Sequence, residues 1–444
     1  MKPLWSISAL LCNLILGVTA ATAADKTTEP PQSPHLATLQ VALEHHDPNA
    51  LDAFWKYVET VHTPLIEDIP DDPHHAIYTF LVRADPNDAI LNVRLAASFP
   101  MATEHHTDPF TRLGDSNVWY TSYVLPKSGL LAYRIRVPKG LQPSPQSKII
   151  FTIDGVQYEH MLDPLNPRVF GENDLHIDAP FSYFIGPEAE PSPYTDPHGA
   201  PAGALQDYPI DSAALGGKRD ITIYTPAKYA RSSKPLPFVL LFDAESYIHV
   251  DKVPTILDNM IAQSAIPPVI VAFVHTKETR DADLPPNENY QRFIASELMP
   301  WVRKQYPVST DPRRNVVGGM SLGGLAAAYT AFVHPELFGK VLAESGSFWW
   351  FPNYQTAVLP NPDEGWLVKQ FAESARKPVD FYITTGEWES TGSIWSIRMM
   401  HSVLLGKGNT VTYREVASGH DPINFQQVLP DGLAALLAHK AHSD

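Results

Sequence analysis

Cysteine is nearly absent. The chain of 444 residues holds one, Cys12, in an apolar N-terminal stretch where the preceding Leu11 is too bulky for a lipoprotein cleavage site. Beyond that stretch there is no thiol, which excludes a disulfide framework, a cysteine nucleophile and a cysteine metal centre. Cationic side chains are few as well: 33 Lys and Arg stand against 49 Asp and Glu, for a formal net charge of -16. This balance argues against nucleic acid or an anionic membrane as the main partner, and an acidic ligand would need a local cluster of arginines. A convincing membrane span is missing too. The stretch Leu4 to Val18 falls short of the about 20 apolar residues a spanning helix needs, so no stable membrane anchor is expected. No H-E-x-x-H pattern occurs, and neighbouring histidines such as His45-His46, His74-His75 and His105-His106 rarely bind one ion together, so neither a metal nor another cofactor is expected.

What is abundant is proline, 42 residues, roughly twice the usual share, which favours rigid loops and extended connections over long helical bundles. Lys2, the apolar run after it and the Ala21-Thr22-Ala23 triplet form the three regions of a cleavable export signal, expected over residues 1–24. Residues 25–190 carry β-rich segments, among them Ala76–Arg83, Val118–Leu125 and Leu130–Val137. Turn chemistry separates them, with no helix of length between, the signature of an all-β sandwich. Residues 191–205 have linker composition. From residue 206 to 444 the rhythm changes: short apolar strands such as Phe238–Phe242, Val269–Val274 and Phe381–Thr384 alternate with helices. That alternation predicts an α/β domain, a mainly parallel sheet with helices on both faces, whose site lies at the carboxyl ends of the strands.

One stretch there carries chemistry. Val316 and Val317 lead through Gly318-Gly319-Met320-Ser321-Leu322-Gly323 into an alanine-rich helix, a G-x-S-x-G between strand and helix. A serine on such a sharp turn is exposed at a helix N-terminus, where the dipole and the N–H of Leu322 can stabilise an oxyanion. The serine needs a base, and the base an orienting acid. In the α/β-hydrolase arrangement these follow in the order Ser, acid, His. His420, on a loop between the last strand and the last helix, meets the requirement; His334 and His401 lie inside helices. For the acid, Thr385-Gly386-Glu387-Trp388-Glu389 offers two carboxylates. Glu389 is preferred because it lies where a side chain can reach back over the sheet edge, Glu387 is the reserve, and Asp421 adjoins the histidine itself. The second oxyanion donor is expected after the Phe238–Phe242 strand, at the N–H of Ala244 or Glu245.

Taken together, Asp243-Ala244-Glu245, Arg280 with Asp283-Leu284 and Asn287, the GGMSLGGLAA elbow, Pro335 to Gly339, Glu344 to Trp350 (ESGSFWW), the Gly386–Glu389 turn and Gly419-His420-Asp421 resemble the enterochelin esterase family, in the esterase D branch of the α/β-hydrolases. Asp163-Pro164-Leu165-Asn166-Pro167 and the sandwich segments are similar to the N-terminal domain of its longer members. Ala244 stands where the family usually has glycine. The resemblance implies hydrolysis of the ester bonds of a trilactone catecholate siderophore, with iron(III) only as part of that small-molecule partner, and Ser321, Glu389 and His420 as triad. It also implies that Arg280 and aromatic residues near the pocket, Trp349 and Trp350 among them, contact the anionic catecholates. With the export signal, the implied place of action is the periplasm. Two other readings are a secreted feruloyl or acetyl esterase acting on polysaccharide, and a ferric-siderophore binding protein without activity.

Overall fold

The computed structural model describes residues 32–84, 93–97, 107–139, 151–153, 156–171, 180–231, 234–354 and 363–438; the expected signal segment lies outside them. Two short helices, Pro34–Glu44 and Ala50–Val61, come first. They close over one side of a four-stranded antiparallel sheet in which Leu65–Ile69, Asp72–Arg83, Val118–Pro126 and Thr111–Arg112 are neighbours in that order. A second, seven-stranded sheet is built around Leu130–Pro138. Successive side chains of a strand point to opposite faces. Thus Ala76, Tyr78 and Phe80 of one sheet and Leu131, Tyr133, Ile135 and Val137 of the other meet in one apolar core, the sandwich that the β-rich segments predicted. The Asp163–Pro167 motif is a buried polar knot within it: Asp163 accepts from the hydroxyls of Thr63 (2.6 Å) and Tyr133 (2.8 Å), and Asn166 donates to Tyr133 (2.8 Å).

The C-terminal part is organised on eight strands, labelled here β1 (Ala204–Ser212), β2 (Gly217–Thr225), β3 (Phe238–Phe242), β4 (Ile270–Val274), β5 (Asn315–Met320), β6 (Lys340–Glu344), β7 (Asp380–Gly386) and β8 (Val411–Val416). They lie in the order β1-β2-β4-β3-β5-β6-β7-β8. β2 is antiparallel to both neighbours, and the remaining pairs are parallel. Every residue of β3, β4 and β5 is buried, as expected where helices cover both faces of a parallel sheet. β1 begins at Ala204, inside the expected linker, and is largely exposed with Pro209 on it. An outermost strand tolerates a residue that cannot donate to the ladder. The helical stretch over 288–305 is interrupted: Glu288–Arg292 and Met299–Gln305 flank a π-helical stretch, Phe293–Leu298. Pro300 supplies no N–H to the turn before it, and the helix widens there.

Candidate active site

The order β4-β3-β5-β6-β7-β8 sets six parallel strand ends side by side, and every expected site element follows one of them. Ser321 closes β5 and caps the helix Leu322–Val333 with φ 56° and ψ -120°, a conformation that costs a non-glycine residue on the order of 1–3 kcal/mol. Surrounding backbone holds it there. Its N–H donates to the Glu344 carbonyl (2.8 Å), and its carbonyl accepts from the Ser347 N–H (3.0 Å). The turn has no room for a side chain before it, since a Cβ on Gly319 would stand 2.4 Å from the backbone of Gly323. The Ser321 and Ser347 hydroxyl oxygens are 3.4 Å apart.

Beyond β7 and β8 the structure brings Glu389 and His420 together. The His420 Nδ1 is 3.0 Å from Glu389 Oε2. The other carboxylate oxygen of Glu389 accepts from the Ser345 hydroxyl and from the Gly386 N–H at 2.9 Å. Burial pushes the Glu389 carboxyl up, but the charge and hydrogen bond of His420, with the Ser345 and Gly386 donors, outweigh it and hold the group below its ordinary value. Glu387, two residues earlier, is exposed; partial burial, with the Glu415 charge, raises its carboxyl. Asp421 caps the final helix, Pro422–Leu437, by accepting from the Asn424 N–H at 3.3 Å.

The turn after β3 abuts the helix that follows Ser321: a Cβ on Gly323 would lie 3.2 Å from Asp243 Oδ2. Asp243 takes the positive φ of 60° at this turn, so Ala244 is spared the conformation that would require glycine. Ala244 opens a helical turn just as Leu322 does, and the leading N–H groups of a helix have no acceptor within it. Arg280 is drawn into the same turn. Its Nε and Nη2 each donate to an Asp243 carboxylate oxygen at 2.9 Å, and the Thr276 hydroxyl adds a bond of 2.5 Å. Trp350 is buried, edge-on to Trp366 at 6.1 Å, while Trp349 is partly exposed and lies edge-on to Tyr354 at 5.3 Å. Of the two, only Trp349 has surface to offer a ligand.

Three contributors are not marked by residue type. Ser345, itself at φ 48°, holds the Glu389 carboxylate, and Ser347 stands beside Ser321. The ESGSFWW pattern contains both, yet nothing in a serine marks its partner. The third is Trp388, which leaves the acid turn for the sandwich core. Among the described residues no group of three or more His, Cys, Asp or Glu could hold a metal ion, and no helix is long and apolar enough to cross a membrane.

The family described as "Putative esterase" matches residues 212–436, just over half of the chain. The chain belongs to that family. This esterase is a carboxylic ester hydrolase, and the likeness to enterochelin esterases noted from its motifs extends over most of its length. It is 28% identical over 428 residues to an iron(III) enterobactin esterase of Dickeya dadantii, covering 87% of this chain and 93% of that one. An iron(III) salmochelin esterase of Escherichia coli is 25% identical over 403 residues, with 88% and 94% covered. Among solved structures, the ferric enterobactin esterase of Salmonella typhimurium superposes with a TM-score of 0.71 at 23% identity, covering 87% of this esterase and 98% of its own chain. The enterobactin esterase of Shigella flexneri, crystallised in the presence of enterobactin, gives 0.68 at 23% identity, with 87% and 97% covered. At that identity the structural likeness is one of fold, and it includes both the sandwich and the α/β part.

Proposed function

We propose that this esterase hydrolyses the ester bonds of a ferric catecholate siderophore of the trilactone kind through an acyl-enzyme on Ser321, and so aids release of the iron. The chemistry rests on one observation above the others: the Glu389–His420 contact of 3.0 Å on the strand ends beside the Ser321 elbow. The substrate class rests on relatives that match the sandwich as well as the α/β part.

Ser321 Oγ attacks the carbonyl carbon of the ester while His420 takes its proton, and Glu389 holds the imidazolium that forms. The tetrahedral oxyanion is met by the N–H groups of Leu322 and Ala244. The C–O bond to the leaving alcohol then breaks, and that alcohol receives the proton from His420. A water, deprotonated by His420, attacks the acyl-enzyme; the freed acid departs and Ser321 regains its proton. Arg280 lends positive charge to the β3 end of the site while bound to Asp243, and Trp349 offers an aromatic face to a catechol ring. The export pattern at residues 1–24 supports cleavage in the periplasm.

The test is to incubate the purified mature protein with iron-loaded enterobactin, its linear fragments and feruloyl esters. Release of 2,3-dihydroxybenzoylserine oligomers, abolished by Ser321→Ala, is expected. No turnover of any catecholate ester would sink the proposal; feruloyl turnover alone would point to a polysaccharide esterase, and tight binding without turnover to a siderophore carrier.

A further inference from the structure

The acid and the base of the proposed triad do not stand on the catalytic sheet alone. Trp388, bonded directly to Glu389, is 3% exposed and belongs to the sandwich core together with Tyr78, Leu131, Tyr133 and Phe184. The fit is close from the sandwich side: a Cβ on Gly129 would stand 2.4 Å from the Trp388 ring. Gly129 leads into the Leu130–Pro138 strand, and that strand also reaches the histidine loop at two points. The Leu130 N–H donates to the Ala417 carbonyl at 3.1 Å, and the Ala132 N–H to Asp421 Oδ1 at 3.3 Å, so His420 lies between two bonds to the other domain. The acid turn and the histidine loop are joined to each other as well, through Trp388 N–H to the Ser418 carbonyl (3.0 Å) and Glu387 N–H to the Val416 carbonyl (2.8 Å). The nucleophile differs: Ser321 is held by Glu344 and Ser347 from within the α/β part.

We infer that the sandwich is a positioning element of the active site, with Trp388 as its anchor and the Gly129–Ala132 segment as its clamp, setting where Glu389 and His420 stand relative to Ser321. This rests on the triad reading given above. Nucleophile and oxyanion donors follow the central strands β5 and β3, whereas acid and base follow β7 and β8, the last two strands at one side of the sheet, and take their register from a second domain. Reacting groups misplaced by as little as about 1 Å can lose about 100-fold in rate, so the anchor acts on the chemical step and not on ester binding. Trp388 is a positioning residue: it acts through Glu389.

The test uses the full-length protein, p-nitrophenyl butyrate as a small neutral ester, and a fluorophosphonate that labels an activated serine. For Trp388→Ala, kcat and the labelling rate fall about 100-fold with KM nearly unchanged, and Trp388→Phe recovers most of the loss. Gly129→Ala, made in the other domain, pushes on the indole and lowers kcat, but has little further effect on kcat in the Trp388→Ala background, where the ring is gone and only the Pro126 carbonyl, 3.0 Å from the added methyl, is left to crowd it. A folded Trp388→Ala protein with wild-type kcat overturns the inference, as does a Gly129→Ala loss of equal size in both backgrounds. Should Trp388→Ala not fold, Gly129→Ala decides alone: an unchanged kcat overturns the inference whether or not Tm falls. Failure of the triad reading is seen separately, as labelling and turnover that survive Ser321→Ala.

Discussion

Replacing Arg280 by alanine separates two roles for one guanidinium. In the structure it gives Asp243 two charge-assisted hydrogen bonds of 2.9 Å, and the Asp243 side chain is 6% exposed against 32% for Arg280. Removing one partner of a fully buried ion pair costs about 3–5 kcal/mol. Water reaches Arg280, and the Thr276 hydroxyl stays on the carboxylate, so about 2 kcal/mol is the expected destabilisation after allowing for solvent screening. For a domain of this size that lowers Tm by about 4–8 °C. Asp243 also fixes the turn that presents the Ala244 N–H. An oxyanion donor lost outright costs about 100- to 1000-fold in kcat, so a donor loosened in place should cost about 10- to 100-fold. Calorimetry, with kinetics on one neutral and one anionic catecholate ester, reads both effects. The expected result is a lower Tm and a lower kcat on both esters, only partly restored by Arg280→Lys, which cannot bind a carboxylate bidentately. The reasoning fails if Tm is unchanged and only KM for the anionic ester rises; Arg280 would then be a substrate contact and nothing more.

The two acids of the β7 turn should behave differently. Glu389→Gln leaves His420 without its charged partner and should lower kcat by about 10⁴-fold, as loss of the orienting acid does in triads generally, while the exposed Glu387→Gln should leave kcat unchanged; a reversed order would move the triad acid to Glu387. Stability should also depend on pH through carboxyls beneath the site. Burial pushes Glu344 from 4.5 up to about 8, and Asp421 from 3.8 up to about 7. These groups keep their protons in the folded protein after the unfolded chain has lost them, so stability falls as pH rises from about 4.5 to about 8. Glu344→Gln should reduce that slope, measured by chemical denaturation across the same range; an identical slope in the variant would refute the assignment.

Much of the catalytic part was legible in the chain because its chemistry follows strand order. Fully buried strands such as β3 and β4 read as bare apolar runs, and Ser321, Glu389 and His420 follow β5, β7 and β8 in turn. The choice of Glu389 over Glu387 could be argued from position in the turn alone, and the structure places one carboxylate on His420 and the other in solvent. What escaped was set by tertiary contact. β1 has no apolar run, because it is an outermost strand exposed on both faces over its first half, with only Ile210 and Ser212 buried near its end. Arg280 read as a cation waiting for an anionic ligand, and its partner Asp243 lies a strand and several turns away. Nothing in the Gly386–Glu389 turn marks Trp388 as an anchor; the core that receives it is formed by strands far upstream. Hydroxyls such as Ser345 carry no pattern at all, since one rotatable donor suits many partners.

Asp243, Ser321 and Ser345 all adopt positive φ, on three strand ends that lie next to one another. At about 1–3 kcal/mol each, together they form a large fraction of the about 5–15 kcal/mol by which an ordinary domain is stable. Selection for heat tolerance, acting one position at a time, would favour glycine at every one of them. Each such step would delete the carboxylate that holds Arg280, the hydroxyl of Ser321 on which the proposed chemistry depends, or the hydroxyl on Glu389. Variants of this esterase that survive higher temperatures while remaining active should therefore carry their substitutions in the sandwich or on the outer helices, and leave these three uncomfortable side chains where they are.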